Sequence, residues 1–167
     1  MKKNIILIGF MGSGKTVIAK ELSLRLKYHY LDIDHVIEQK FKCTISDIFK
    51  TKGESFFREA ETQELSELKS KSKNIISTGG GIILKPENRQ LLKRIGFIVW
   101  LKASPEVIYQ RLKHNKTRPL LEADDKLTEI QNLLSARIPF YQSLADLEID
   151  TTDKTISEIV NLIAGCI

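Results

Sequence analysis

Asn4–Ile8 is an apolar run that ends in the glycine-rich stretch Gly9–Gly14. A run without polar alternation suits a strand covered on both faces, as in a parallel sheet. From Lys15 the period changes. Ile18, Leu22 and Leu26 recur at helical spacing with Lys20, Glu21 and Arg25 opposite them, which predicts an amphipathic helix over Lys15–Leu26. Strand, loop and helix together open a βαβ unit. Further apolar runs of strand length stand at Tyr30–Leu31, Ile75–Ser77, Phe97–Leu101 and Leu147–Ile149. They alternate with helical patterns at Asp34–Phe41, Glu54–Lys69 and Leu127–Tyr141. This alternation predicts a three-layer α/β fold, a doubly wound, five-stranded parallel sheet flanked by helices. Pro86 and Pro105 sit where first helical turns begin, and Asp153 or Thr155 caps a last helix ending at Ala164. No internal repeat, low-complexity tract or linker interrupts the pattern, so residues 1–167 read as a single domain.

Composition narrows the function classes. A chain of 167 residues, 42% of them hydrophobic, can bury one continuous core without staples. Its 26 Lys plus Arg against 21 Asp plus Glu give a formal charge of +5, spread along the chain and not gathered into an arm. That distribution favours anionic small molecules over nucleic acid, and no basic patch with interleaved aromatics points to nucleic acid either. Cys43 and Cys166 form no C-x-x-C pair and read as free thiols in a reducing cytoplasm. Lys2-Lys3 before Ile5–Ile8 imitates a signal peptide, but the apolar run is shorter than the roughly 7–15 residues such a segment needs. No run approaches the roughly 20 apolar residues of a membrane span. A soluble, unprocessed cytoplasmic protein with no membrane partner is expected.

The strongest local signal is Gly9-Phe10-Met11-Gly12-Ser13-Gly14-Lys15-Thr16, which satisfies G-x-x-x-x-G-K-[ST] between a buried strand and a helix. Backbone N–H groups of such a loop, with the helix N-terminus behind them, cradle phosphates. Lys15 would reach the β- and γ-phosphates, and the Thr16 hydroxyl would ligate magnesium. A plain glycine-rich turn before a helix is the alternative. A GTP-dependent switch does not fit, because Asn115-Lys116-Thr117 is followed by Arg118 where N-K-x-D needs aspartate, and no D-x-x-G occurs.

Four further clusters follow predicted strands or lie on helices facing the carboxyl edge of the sheet, where doubly wound folds bind ligands. Asp32-Ile33-Asp34 offers two carboxylates, one for magnesium and one for an acceptor while the segment stays extended, although Asp34 also suits a helix cap. In Gly53–Glu61, Arg58 can bind an anion or pair with Glu54 or Glu61 on its own helix. Ser77-Thr78-Gly79-Gly80-Gly81 permits close approach of backbone to ligand, or is simply a loop. Arg118-Pro119-Leu120-Leu121 suits a lid over ATP, with Arg137 four residues before Tyr141 on the next helix; each arginine alone also suits a solvated surface. His29, His35 and His114 show no ligand spacing, and Trp100 reads as core.

In sequence order the constellation closely resembles that of the shikimate kinases. It is carried by Gly9–Thr16, Asp32-x-Asp34, Ile48-Phe49, Gly53-Glu54, Phe57-Arg58-x-x-Glu61, Ser77–Gly81, Arg118–Leu121, Arg137-x-Pro139-x-Tyr141 and Ala145-Asp146, nearly the whole chain. The resemblance implies a P-loop kinase fold and transfer of the γ-phosphoryl group of ATP to the 3-hydroxyl of shikimate, in the biosynthesis of chorismate and aromatic amino acids. It further implies ATP binding by Gly12, Ser13, Gly14, Lys15, Thr16, Val17 and Arg118, and one Mg2+ per subunit near Thr16 and Asp32. Shikimate would be held by Asp34, Arg58, Gly80 and Arg137, with Lys15, Asp34 and Arg118 in catalytic roles. By the same resemblance an acceptor-binding helical region spans about 33–61, a lid about 112–125, Arg111 and Thr152–Thr155 lie against adenine, and the protein is a monomer. Ala19 and Lys42 stand where the family often has glycine, away from the ligand-binding positions. A kinase for another small acceptor, such as gluconate or a nucleoside monophosphate, shares the loop and the lid.

Overall fold

A computed structural model describes residues 4–113 and 125–167. His114, the Asn115–Thr117 segment and Arg118–Leu121 of the expected lid lie outside the described residues. Strands β1 (Ile5–Ile8), β2 (His29–Asp32), β3 (Asn74–Ser77), β4 (Phe97–Lys102) and β5 (Leu147–Asp150) form one sheet in the order β2-β3-β1-β4-β5, and every pair is parallel. Among the described residues seven α-helices flank it: α1 (Lys15–Leu26), α2 (Ile33–Phe41), α3 (Ile45–Glu67), α4 (Pro86–Ile95), α5 (Pro105–Leu112), α6 (Lys126–Leu144) and α7 (Ile156–Gly165).

Alternation along the strands builds two cores. Ile5, Leu7, Ile75, Val99, Leu101 and Ile149 meet α1 and α7 through Ile18, Leu22, Ile159 and Ile163. Ile6, Ile8, Ile76, Ile98 and Trp100 face the larger cluster, which draws on α2 to α6. Both faces are therefore covered, and the strands have no need of polar alternation.

The structure corrects several boundaries. Asn4 is not part of the apolar strand: its buried amide donates to Lys71 O at 3.0 Å and Ile95 O at 2.9 Å and accepts from Asn74 N at 3.1 Å, lacing together the segments where strands begin. The helix read as Glu54–Lys69 begins much earlier, at Ile45, and breaks at Gly53, whose φ of 82° and ψ of 168° are open to glycine at little cost. Thr155, not Asp153, caps α7, in a reciprocal pair with Glu158. Lys42 does take the left-handed conformation, with φ 53°, and Ala19 is fully buried on the core-facing side of α1. Both cysteines are free. Among the described residues no helix is long and apolar enough to cross a membrane.

This topology delivers the loop after β1, the end of β2 and the loop after β3 to the same carboxyl edge of the sheet.

Candidate active site

The loop between β1 and α1 turns with positive φ at Gly12 (79°) and Gly14 (93°). Gly14 is the N-cap of α1 and supplies no side-chain cap, and the first turn carries no acidic residue, so the helix start favours an anion. Ser13 N–H closes the loop onto Phe10 O at 3.2 Å, and its side chain is buried. The Lys15 ammonium donates to Gly9 O and Phe10 O, each at 2.9 Å, which keeps it tucked beneath the loop. Val17 lies half-exposed on α1. Arg111 braces the loop from α5, donating to Gly12 O at 3.0 Å and to Thr151 O, after β5, at 3.4 Å.

At the end of β2 the two carboxylates divide differently from the expectation. Asp32, not Asp34, caps α2, its Oδ1 accepting from His35 N at 3.2 Å; Asp34 lies within the first helical turn, so the pair does not share one extended segment. Asp32 Oδ2 accepts from Thr16 Oγ1 and from Tyr30 Oη, each at 3.2 Å. Thr16 Oγ1 also lies 3.5 Å from Ser77 Oγ. These are hard oxygen donors with a single carboxylate among them, and the described residues contain no group of three or more His, Cys, Asp or Glu able to hold a metal. Such a sparse set fits Mg2+, which keeps several waters and completes its shell with substrate phosphates.

A cleft of about 890 Å³ opens beside the loop, its lining including apolar Met11, Phe49 and Phe57 and charged Asp34, Arg58 and Arg137. A smaller cleft of about 200 Å³ runs along Gly12, Gly14, Lys15 and Val17. Both share Thr16, Asp32, Asp34, Gly79 and Gly80, so the two spaces meet at those residues. Arg137 on α6 is 5% exposed, lies over the Phe10 ring with 5.2 Å to its centroid, and donates to Gly80 O at 3.4 Å. Tyr141 Oη donates to the same carbonyl at 2.8 Å; burial pushes its phenol up to about 12, which keeps the donor proton in place. Behind it Trp100 is core, its ring 5.4 Å from that of Tyr141.

Arg58 is held by its own helix as well as facing the cleft. Its Nε and Nη2 reach Glu54 Oε1 at 3.2 and 2.9 Å, and its Nη1 reaches Glu61 Oε2 at 2.8 Å. Glu61 is wholly buried. Burial raises its carboxyl, the charge of Arg58 lowers it, and Asp34 and Glu54 raise it again, so that it stands at about 7. The salt-bridge distance alone would argue for a fully ionised acid, but the desolvated second oxygen opposes that, and both forms are populated near neutrality. A Cβ on Gly79 would stand 2.8 Å from Asp34 Oδ1 and 3.0 Å from Glu61 Oε1, so a side chain there would displace both carboxylates.

The family model for shikimate kinase matches residues 11–167. The chain belongs to the shikimate kinase family. Shikimate kinases are ATP-dependent kinases acting on an alcohol acceptor. The shikimate kinase of Caldicellulosiruptor saccharolyticus is 47% identical over 149 residues, covering 89% of this chain and 86% of the relative. That of Thermodesulfovibrio yellowstonii is 42% identical over 161 residues, covering 96% and 92%. The structure of the shikimate kinase from Acinetobacter baumannii in complex with shikimate superposes with a TM-score of 0.94 at 37% identity, over 99% of this chain and 93% of that one.

Of the shikimate-kinase residues expected from sequence, Asp34, Arg58, Gly80 and Arg137 come together on the larger cleft, and Gly12, Gly14, Lys15, Thr16, Val17 and Asp32 on the smaller. Arg111 reaches the carbonyl of Thr151, and the adjoining Thr152 Oγ1 accepts from Ser104 N, after β4, at 3.3 Å. The sequence places Glu61 in the family motif and pairs it with Arg58 but gives it no role at the site, and it gives Tyr30 none either. An acid falling on the apolar stripe Phe57–Ala60–Leu65–Leu68 was the available signal for Glu61.

Proposed function

We propose that this chain transfers the γ-phosphoryl group of ATP to the 3-hydroxyl of shikimate, with Mg2+ bound beside the phosphates. The observation that carries this reading is the junction of the two clefts. An anion-binding loop and a cleft bearing two guanidinium groups meet at the Asp34 carboxylate and the backbone of Gly80. Planar guanidinium forks bind a carboxylate through paired charge-assisted hydrogen bonds, so Arg58 and Arg137 suit the ring carboxylate of shikimate. Phe49, Phe57 and Met11 offer apolar wall to the ring face.

Asp34 accepts from the ring hydroxyls and aims the attacking oxygen at the phosphate loop. A carboxylate is a weak base for an alcohol, but phosphoryl transfer has a loose transition state, and positioning outranks basicity. Gly12, Ser13, Gly14 and Val17 belong to the ATP-binding surface, and Lys15 draws charge from the transferred group. Thr16 and Asp32 would hold Mg2+, one per subunit, which would supply positive charge to neutralise the phosphates. Arg118, from the lid at about 112–125, would serve the same developing charge, and α2 with the start of α3, about 33–61, forms the acceptor-binding region. A cytoplasmic monomer of one domain completes the reading.

The test is ADP release from ATP with each candidate acceptor in turn. Shikimate should stimulate release by orders of magnitude while gluconate and nucleoside monophosphates leave it near the basal rate. Equal stimulation by either rival would overturn the assignment.

A further inference from the structure

We propose that Glu61 is a positioning residue that gates the acceptor site by its proton: neutral Glu61 leaves the Arg58 guanidinium to an anionic acceptor, and binding of that acceptor draws a proton onto Glu61. The inference rests on Arg58 holding the acceptor carboxylate, as proposed above.

The geometry is that of a buried acid among more carboxylates than cations. Glu61 is fully buried; its Oε2 accepts from Arg58 at 2.8 Å, while its Oε1 accepts no hydrogen bond from any described residue. Oε1 and Asp34 Oδ1 converge on the bare backbone of Gly79. The charged groups facing Glu61 are Arg58 and Glu54 from α3 and Asp34 from α2. Across the cleft α6 contributes Arg137, which is turned to Gly80 O, and the Gly79–Gly81 segment contributes backbone alone. With every group ionised, three carboxylates face two guanidinium groups before any acceptor anion arrives. Adding that anion makes the excess worse, and the acid least able to be solvated yields first. Glu54 is 51% exposed and keeps water on its charge, whereas the Glu61 side chain is 0% exposed. Burial already sets the Glu61 carboxyl at about 7, so a further negative charge moves it upward, into a range where the proton must come from solvent.

The experiment is calorimetric titration of the whole chain with shikimate near pH 8, in buffers of different ionisation enthalpy. The wild-type protein should take up close to one proton per shikimate bound, and Glu61→Gln none. In parallel the wild-type KM for shikimate should climb by up to about tenfold per pH unit above about 7, while KM for ATP stays level; the glutamine variant should lose that slope. Should Glu61→Gln misfold, carboxyl NMR of the wild-type chain with labelled glutamate gives the same answer, through a resonance titrating near neutrality that moves to higher pH on adding shikimate. Shikimate binding with equal proton uptake in both proteins, or a Glu61 resonance titrating in the ordinary glutamate range with and without shikimate, overturns the gate alone. Absence of shikimate binding at every pH overturns the acceptor assignment and the gate with it.

Discussion

Asp34→Asn should lower kcat by about 10²–10⁴ while leaving the KM values for shikimate and ATP within a few-fold of wild type. The substituted amide keeps the size of the side chain at the junction of the two clefts and can still accept a hydrogen bond through one oxygen. It cannot accept through its nitrogen, nor carry off the proton of the attacking hydroxyl. The fold should survive the exchange, because the amide matches the carboxylate in size and removes one negative charge from the surroundings of buried Glu61. Steady-state kinetics with both substrates varied decides the matter, and a variant retaining most of its turnover would remove Asp34 from the mechanism.

Arg58→Ala should raise the KM for shikimate by about 10²–10³, the loss of a charge-assisted pair worth roughly 3–4 kcal/mol, while the KM for ATP changes little. The separation follows from position: Arg58 lines the larger cleft and is absent from the smaller one. Without Arg58, Glu61 loses the charge that lowers its carboxyl and becomes neutral in its buried site, which limits the cost to folding. Varying shikimate at saturating ATP measures the effect. An unchanged KM would mean that the contacts of Arg58 with Glu54 and Glu61 are its whole role.

Much of this was readable from the chain alone. Uninterrupted apolar runs such as Ile5–Ile8 marked strands covered on both faces, and the change to helical spacing at Lys15 fixed the phosphate loop between them. What escaped depended on contacts distant in sequence or on local backbone choices. Asn4 looked like the start of a strand because its amide bonds reach Lys71 and Asn74, some seventy positions away. Ile45–Lys52 escaped notice as helix because Gly53 breaks the period that would have joined it to Glu54–Glu67. For the aspartates, spacing showed two carboxylates but not which would end the strand: the His35 N–H takes Asp32 as cap and leaves Asp34 inside the first turn of α2. Glu61 looked like a surface partner because an i,i+3 pair reads the same whether it faces water or the core.

The stacking of Trp100 on Tyr141 has a practical outcome. Trp100 is the chain's one tryptophan, and Tyr141 links it directly to the Gly80 carbonyl at the floor of the acceptor cleft. Intrinsic fluorescence excited at the red edge therefore reports from a single indole separated from the acceptor cleft by two residues. Occupancy can be followed in a stopped-flow trace without any label, and the arrival of the acceptor can be timed apart from the chemistry.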